Sequence, residues 1–74
     1  MSEAETREAK EAVLNGIPAA RADRNITQVK LSAMSGVAQP VIARMEKGAY
    51  DPRLSTVLRV LDPMGLTLAI VEKR

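Results

Sequence analysis

The side chains that could form an active site in this chain are carboxylates, lysines and hydroxyls. There is no His and no Cys, so the commonest general base and metal ligand, the thiolate nucleophile and the disulfide are all missing. An enzyme is not expected from that set, and neither a metal nor any other cofactor is. What the set can do is bind. Residues 21–59 carry Arg21, Arg24, Lys30, Arg44, Lys47, Arg53 and Arg59 against Asp23, Glu46 and Asp51, whereas residues 1–11 carry Glu3, Glu5, Glu8 and Glu11 against Arg7 and Lys10. The net charge of +2 is small, but its distribution places the positive side chains in the middle of the chain. There they suit a polyanion, or serve as an ordinary solvated face.

The elements that must position these groups are short. At 74 residues, with no Phe, no Trp and a lone Tyr50, the chain has room for one domain and a small aliphatic core that a partner chain would help to bury. From Ala4 to about Asn15 the residues are strong helix formers, with Glu3 and Arg7 at the favourable i, i+4 spacing. Asn15-Gly16-Ile17-Pro18 predicts a break, with Pro18 opening a second short helix to about Arg24. Thr27 is a good N-cap for a helix from Gln28 to about Met34, and Gly36 supplies the positive φ of a sharp turn. Pro40 suits the first turn of a helix from about Gln39 to Lys47, stopped by Gly48. Two short helices joined by a glycine turn are the outline of a helix-turn-helix. After the Asp51-Pro52 loop, Ser55 caps or opens a last helix whose Leu54, Leu58 and Leu61 recur at helical spacing and predict core.

The tail Leu66-Thr67-Leu68-Ala69-Ile70-Val71 is β-branched and roughly alternating. A lone strand leaves its own backbone groups unpaired, so the simplest expectation is pairing with the same strand of a second copy across a two-fold axis; the alternative is a final helical turn packed on the core. The chain then divides into a leading helical or frayed segment (1–16), a helix-turn-helix domain (17–65) and a dimerisation strand with its tail (66–74). No apolar run approaches the ~20 residues of a membrane span, and the acidic start is unlike a signal peptide, which predicts a cytoplasmic protein without a membrane partner.

From about Pro18 to Gly65 the chain resembles the Cro/C1-type (XRE) helix-turn-helix family. The likeness is carried by Arg21-Ala22-Asp23-Arg24-Asn25-Ile26-Thr27-Gln28, Leu31-Ser32, Ser35-Gly36-Val37, Gln39-Pro40, Ile42, Arg44-Met45-Glu46-Lys47-Gly48, and Pro52 followed by Leu54. The resemblance implies an all-α, lambda-repressor-like domain of five helices whose third reads DNA. Gln39 would then open the recognition helix, where a carboxamide can donate to and accept from adenine. Arg44 would reach a guanine edge or a phosphate, with Pro40 at the start of the same helix, while Val41 and Ala43 touch a thymine methyl or leave room. Gln28 matches a phosphate-contacting position at the start of the second helix, and Lys47, Arg53 and Tyr50 lie where the family makes further backbone contacts. Arg21 and Glu46 match a structural ion pair between the first helix and the recognition helix, and Val37, Ile42 and Met45 match its inner face.

Two departures stand out. Ala38 replaces the usual capping Ser or Thr, and Asp62-Pro63 falls where the fifth helix should continue. The tail after Gly65 resembles the HipB-like and HigA-like antitoxin branch, in which a C-terminal strand of Leu66, Thr67, Leu68, Ala69, Ile70 and Val71 would pair between subunits. The resemblance implies a homodimeric repressor of a palindromic operator that also binds a toxin. The alternatives are a phage-like repressor without a toxin, and a protein-interaction module with little DNA affinity.

Overall fold

The computed structural model describes residues 1–48 and 50–73. The first helix, α1, spans Glu3–Asp23. Ser2 caps it, accepting from the Glu5 N–H at 3.1 Å while the Glu5 carboxylate accepts from the Ser2 N–H at 3.1 Å. This reciprocal capping box satisfies two donors of the first turn. The break predicted at Asn15–Pro18 does not occur, and α1 runs through Gly16 and Pro18 without interruption. Leu14 and Ile17, 1% and 0% exposed, lie on either side of Gly16 and must face the same core. Only a continuous helix aligns them at i, i+3. Burying each is worth about 1.5–3 kcal/mol, which offsets roughly 1 kcal/mol for Gly and roughly 3 for Pro. Among the described residues there are therefore four α-helices in place of the expected five.

Helix α1 ends where Asn25 adopts φ 54°, with the Ile26 N–H donating back to the Arg21 carbonyl at 3.0 Å. Helix α2 spans Gln28–Ser35, and the Thr27 hydroxyl caps it by accepting from the Lys30 N–H at 3.0 Å. Gly36, at φ 73°, makes the turn. That left-handed conformation is what calls for glycine; an added Cβ would meet only the end of the exposed Arg59 side chain, at 3.3 Å, which can move aside. Ser32 Oγ donates to the Val37 carbonyl at 2.7 Å, and the Val37 N–H donates to Ser35 Oγ at 3.1 Å. These two bonds tie the turn to the end of α2.

Helix α3 spans Gln39–Glu46, one residue shorter than expected. Ala38 makes no side-chain cap there, and Pro40 sits in the first turn. Helix α4 spans Leu54–Leu61 with Arg53 at its N-cap, so Ser55 lies inside it and not at its cap. Of the predicted leucine row on α4, only Leu61 is fully part of the buried face. Leu54 is 64% exposed and Leu58 half-buried, whereas Val57, Val60 and Leu61 are buried. Leu54 occupies the first turn, which starts beyond the edge of the core. At Pro63 the missing N–H prevents a bond to the Arg59 carbonyl, and the chain tightens into a 3-10 turn, Asp62–Met64, that still buries Met64. Gly65, at φ 75°, then reverses the chain, with the Leu66 N–H donating to the Leu61 carbonyl at 3.1 Å.

The core is aliphatic throughout. Leu14 and Ile17 of α1, Leu31 of α2, Ile42 and Met45 of α3 and Val60 of α4 are fully buried. Leu66 and Leu68 pack against it while Thr67, Ala69, Ile70 and Val71 are exposed. Among the described residues no strand forms, and residues 66–73 are neither strand nor helix. A strand exists by pairing, and a single chain offers this segment no partner.

Because Pro18 stands inside a helix, Pro18→Ala restores an N–H toward the Leu14 carbonyl. It is expected to raise unfolding stability by about 1–2 kcal/mol in urea titration, the helical gain exceeding the lost rigidity of the unfolded chain. An unchanged or lower midpoint would show that the proline bond is already compensated.

Candidate nucleic-acid interface

Helix α3 is anchored by Ile42 and Met45, both fully buried, and Val37 ahead of it is buried too. Helical periodicity then turns Pro40, Arg44 and Lys47 outward, and all three are exposed. Ala43 and Gln39, half-buried, edge that face. Val41 is turned the other way and packs against the core, so it is not part of the outward row. The Arg44 guanidinium lies 5.3 Å from the Tyr50 ring centroid, a cation–π arrangement that steadies an exposed cation. Lys47 at the end of α3 and Arg53 before α4 are exposed and form no ion pair among the described residues.

Behind this face lies a polar chain joining three helices. Arg21 Nε donates to Glu46 Oε2 at 2.6 Å, and Arg21 Nη2 donates to Glu46 Oε1 at 2.7 Å. The fork also reaches the turn after α1, where Arg21 Nη1 donates to the Ile26 carbonyl at 3.0 Å. Glu46 Oε1 accepts again from Gln28 Nε2 at 2.8 Å, and Gln28 Oε1 accepts from Gln39 Nε2 at 2.8 Å. Arg21 and Glu46 are thus directly bonded, and Gln28 and Gln39 are brought together at the adjoining starts of α2 and α3. In this arrangement the Gln28 carboxamide faces its neighbours.

The pair is half-buried, with side-chain exposures of 17% for Arg21 and 9% for Glu46. Burial alone would raise the Glu46 carboxyl, but the hydrogen bonds from Arg21 and Gln28 and the charge of Arg21 together hold it below the usual carboxylate value. The Glu46 hydrogen bond in turn raises Arg21, which stays charged at any accessible pH.

Sequence reasoning did not identify the Gln28–Glu46 bond. The i, i+7 spacing of Gln39 and Glu46, which places them on one side of α3, was the available signal. Arg59 was also not singled out. It donates to the Gly36 carbonyl at 3.4 Å and lines, with Ala38, Val41, Tyr50, Arg53 and Thr56, a shallow cleft beside the start of α3. Two cations in that cleft, Arg53 and Arg59, extend the basic surface past α3.

A carboxyl lowered by folding stabilises the native state at pH values above its unfolded pKa, and that stability is lost as pH falls through the lower native value. Glu46 should therefore contribute fully above about pH 4.5 and progressively less in stronger acid. Urea midpoints taken downward from about pH 6 should fall more steeply for the parent than for Glu46→Gln, the remaining slope coming from groups such as Glu5. Equal slopes would remove Glu46 from the account. Replacing one partner alone, by Arg21→Met or Glu46→Leu, should cost roughly 1–3 kcal/mol, and the double variant less than the sum, because neither group is then left buried and unpaired.

Residues 19–71 match the model of the helix-turn-helix family. Over 75 residues the chain is 43% identical to an uncharacterised HTH-type transcriptional regulator of Haemophilus influenzae, covering 99% of this chain and 76% of that protein. In three dimensions it is similar, at a TM-score of 0.77 and 47% identity, to a chain in the solved structure of a toxin–antitoxin module from Streptococcus pneumoniae, over 99% of this chain and 83% of the other. With α2, the Gly36 turn and α3 in the arrangement described, the chain belongs to the XRE-type helix-turn-helix family of DNA-binding transcription regulators.

Proposed function

We propose that this chain is a homodimeric repressor that reads a palindromic DNA operator through α3 and also serves as the antitoxin of a toxin–antitoxin pair. The observation that carries the DNA-reading half is the outward row Pro40, Arg44 and Lys47 edged by Gln39, whose carboxamide is held by Gln28 where α2 and α3 begin. In this reading Gln39 contacts adenine, Arg44 contacts guanine or phosphate, and Ala43 leaves room for a thymine methyl. Pro40 lies against the groove, and the inward packing of Val41 removes support for a base contact there. Gln28 with the α2 N-terminus, Lys47 and Arg53 follow the phosphates.

The domain of residues 17–65 carries this surface, residues 1–16 extend its first helix, and residues 66–74 carry the contact between subunits. Leu66 and Leu68 face the core while Thr67 and Ala69 face solvent, the two-residue period of a strand. Antiparallel pairing of Leu66, Thr67, Leu68, Ala69, Ile70 and Val71 with the same residues of a second copy would satisfy their backbone groups and cover Ile70, which is fully exposed in the single chain. The similarity to a chain of a toxin–antitoxin module supports the toxin partner. No helix among the described residues is long and apolar enough to cross a membrane, which is compatible with the proposed cytoplasmic location. The small net charge of +2 favours one other reading, a protein-interaction module with little DNA affinity.

Selection of bound duplexes from a random pool by the full chain is expected to enrich an inverted repeat; no enrichment over a control would favour the interaction module. Co-purification of the product of a neighbouring gene would support the toxin partner, and its absence a repressor without one. Gln39→Ala should cost about 1–3 kcal/mol of base preference at one position per half-site and leave nonspecific binding nearly intact; uniform loss on all duplexes would exclude a reading role. Truncation after Gly65 should halve the mass seen by light scattering and weaken operator binding, and an unchanged mass would eliminate strand pairing.

A further inference from the structure

The tail leaves the domain through Gly65, and nothing packs there: among the described residues no atom lies within 4 Å of where a Cβ on Gly65 would stand. A glycine in open space at φ 75° is the freest joint a backbone offers, so its angle has to be held by the peptide planes on either side. The plane after it is held by the Leu66 N–H, which donates to the Leu61 carbonyl at 3.1 Å. The plane before it is held at both ends. Its N–H donates to the Asp62 carbonyl at 2.9 Å, within the turn, and its oxygen, the Met64 carbonyl, accepts from Arg24 Nε at 3.0 Å. Arg24 is the C-cap of α1, and its Nη1 donates to the Ala20 carbonyl at 2.9 Å, which fixes the planar guanidinium to that helix. Met64 is itself buried, so the last residue before the joint is anchored by side chain and carbonyl together. Leu66 and Leu68 keep the tail against the core, but apolar contact is non-directional and sets no angle.

We propose that Arg24 is a positioning residue for operator spacing: by tying the peptide ahead of Gly65 to α1, the helix that also carries Arg21, it fixes the angle between the reading unit and the paired tails, and so the separation and rotation of the two copies of α3. This inference rests on the proposed dimer and adds to it a residue that selects the length of the operator, not its bases. Adding one base pair between half-sites moves one of them about 3.4 Å away and turns it by about 35° around the duplex. A locked dimer cannot follow that displacement with both α3 helices, whereas a dimer with a free Gly65 can.

The test uses the full chain on the selected inverted repeat, on versions with the centre shortened or lengthened by one and two base pairs, and on a duplex with a single half-site. One base pair from its best spacing the parent should lose on the order of 100-fold in affinity, because the second half-site is no longer engaged. Arg24→Met removes the donors and keeps an unbranched side chain. It should flatten the profile to less than about tenfold, since a loose joint engages both half-sites at several spacings. Loss of one charge alone would weaken all duplexes alike, so a profile as steep as the parent's in folded, dimeric Arg24→Met overturns the proposal. A halved mass in light scattering would assign Arg24 to assembly and overturn it as well. Should Arg24→Met fail to fold, Arg24→Ala is judged by the same profile. Backbone ¹⁵N relaxation of the DNA-free protein gives a separate readout: the Gly65 and Leu66 order parameters should fall in the variant, and unmoved values exclude the lock whatever the chain binds. A parent that selects no inverted repeat overturns the two-fold reading, and the spacing role with it, even where those order parameters fall.

Discussion

The orientation of α3 depends on one half-buried interaction, the two-pronged pair between Arg21 and Glu46. Apolar contacts hold the helices together but are non-directional, and an aliphatic core built from Leu, Ile, Val and Met tolerates sliding. The guanidinium fork does not. It bonds two carboxylate oxygens and the Ile26 carbonyl at once, so it ties α1, the turn before α2 and the end of α3 to a common geometry. Since the pair must be desolvated to form, its net contribution to stability is modest and its main effect is on position.

That restraint matters because the elements it organises cannot stand alone. Helices α2, α3 and α4 have eight residues each, well under the ~12–15 at which isolated helices become even marginal. Each is held by its turn and by one to three buried side chains. Turn chemistry is accordingly dense around the reading unit: Thr27 caps α2, Ser32 and Ser35 bracket the Gly36 turn, and Arg59 closes it from α4. Only α3 starts without a side-chain cap among these two reading helices. Pro40 has no N–H, and the Val41 and Ile42 N–H groups donate to the Ala38 carbonyl at 2.9 and 3.2 Å, so the start of α3 is closed by its own backbone.

Much of this architecture was legible because it depends on residues with restricted backbones. Thr27, Gly36, Pro40 and Gly48 bound α2 and α3 by local rules that need no tertiary information. Where such rules compete with burial they mislead. Pro18 signals a break, yet the helix persists because Leu14 and Ile17 face one core. The leucine row of α4 outweighs its valines by eye, yet Val57 and Val60 are buried and Leu54 is not. Within the site, Arg21 and Glu46 were identifiable from the family pattern, but the Gln28–Glu46 bond joins residues whose proximity is created only by the packing of α2 on α3. The tail differs for another reason: the expected strand does not form among the described residues, because a strand needs a partner that a single chain does not supply.

The tail is nonetheless joined firmly to the reading unit. Arg24, at the end of α1, donates through Nε to the Met64 carbonyl at 3.0 Å and through Nη1 to the Ala20 carbonyl at 2.9 Å. The residue three positions from Arg21 thus holds the last turn before Gly65. The end of α1 bonds both to the element that would face DNA and to the turn that precedes the segment that would face a second subunit. In the proposed dimer, the separation of the two reading helices would be set by how residues 66–71 leave this turn. Arg21 on α1 and Arg24 at its C-cap make that departure geometrically dependent on the same helix that orients α3. A two-fold reader needs a fixed spacing between half-sites, about one helical turn of DNA or a multiple of it. In so small a protein, the long first helix is the element long enough to relate both ends.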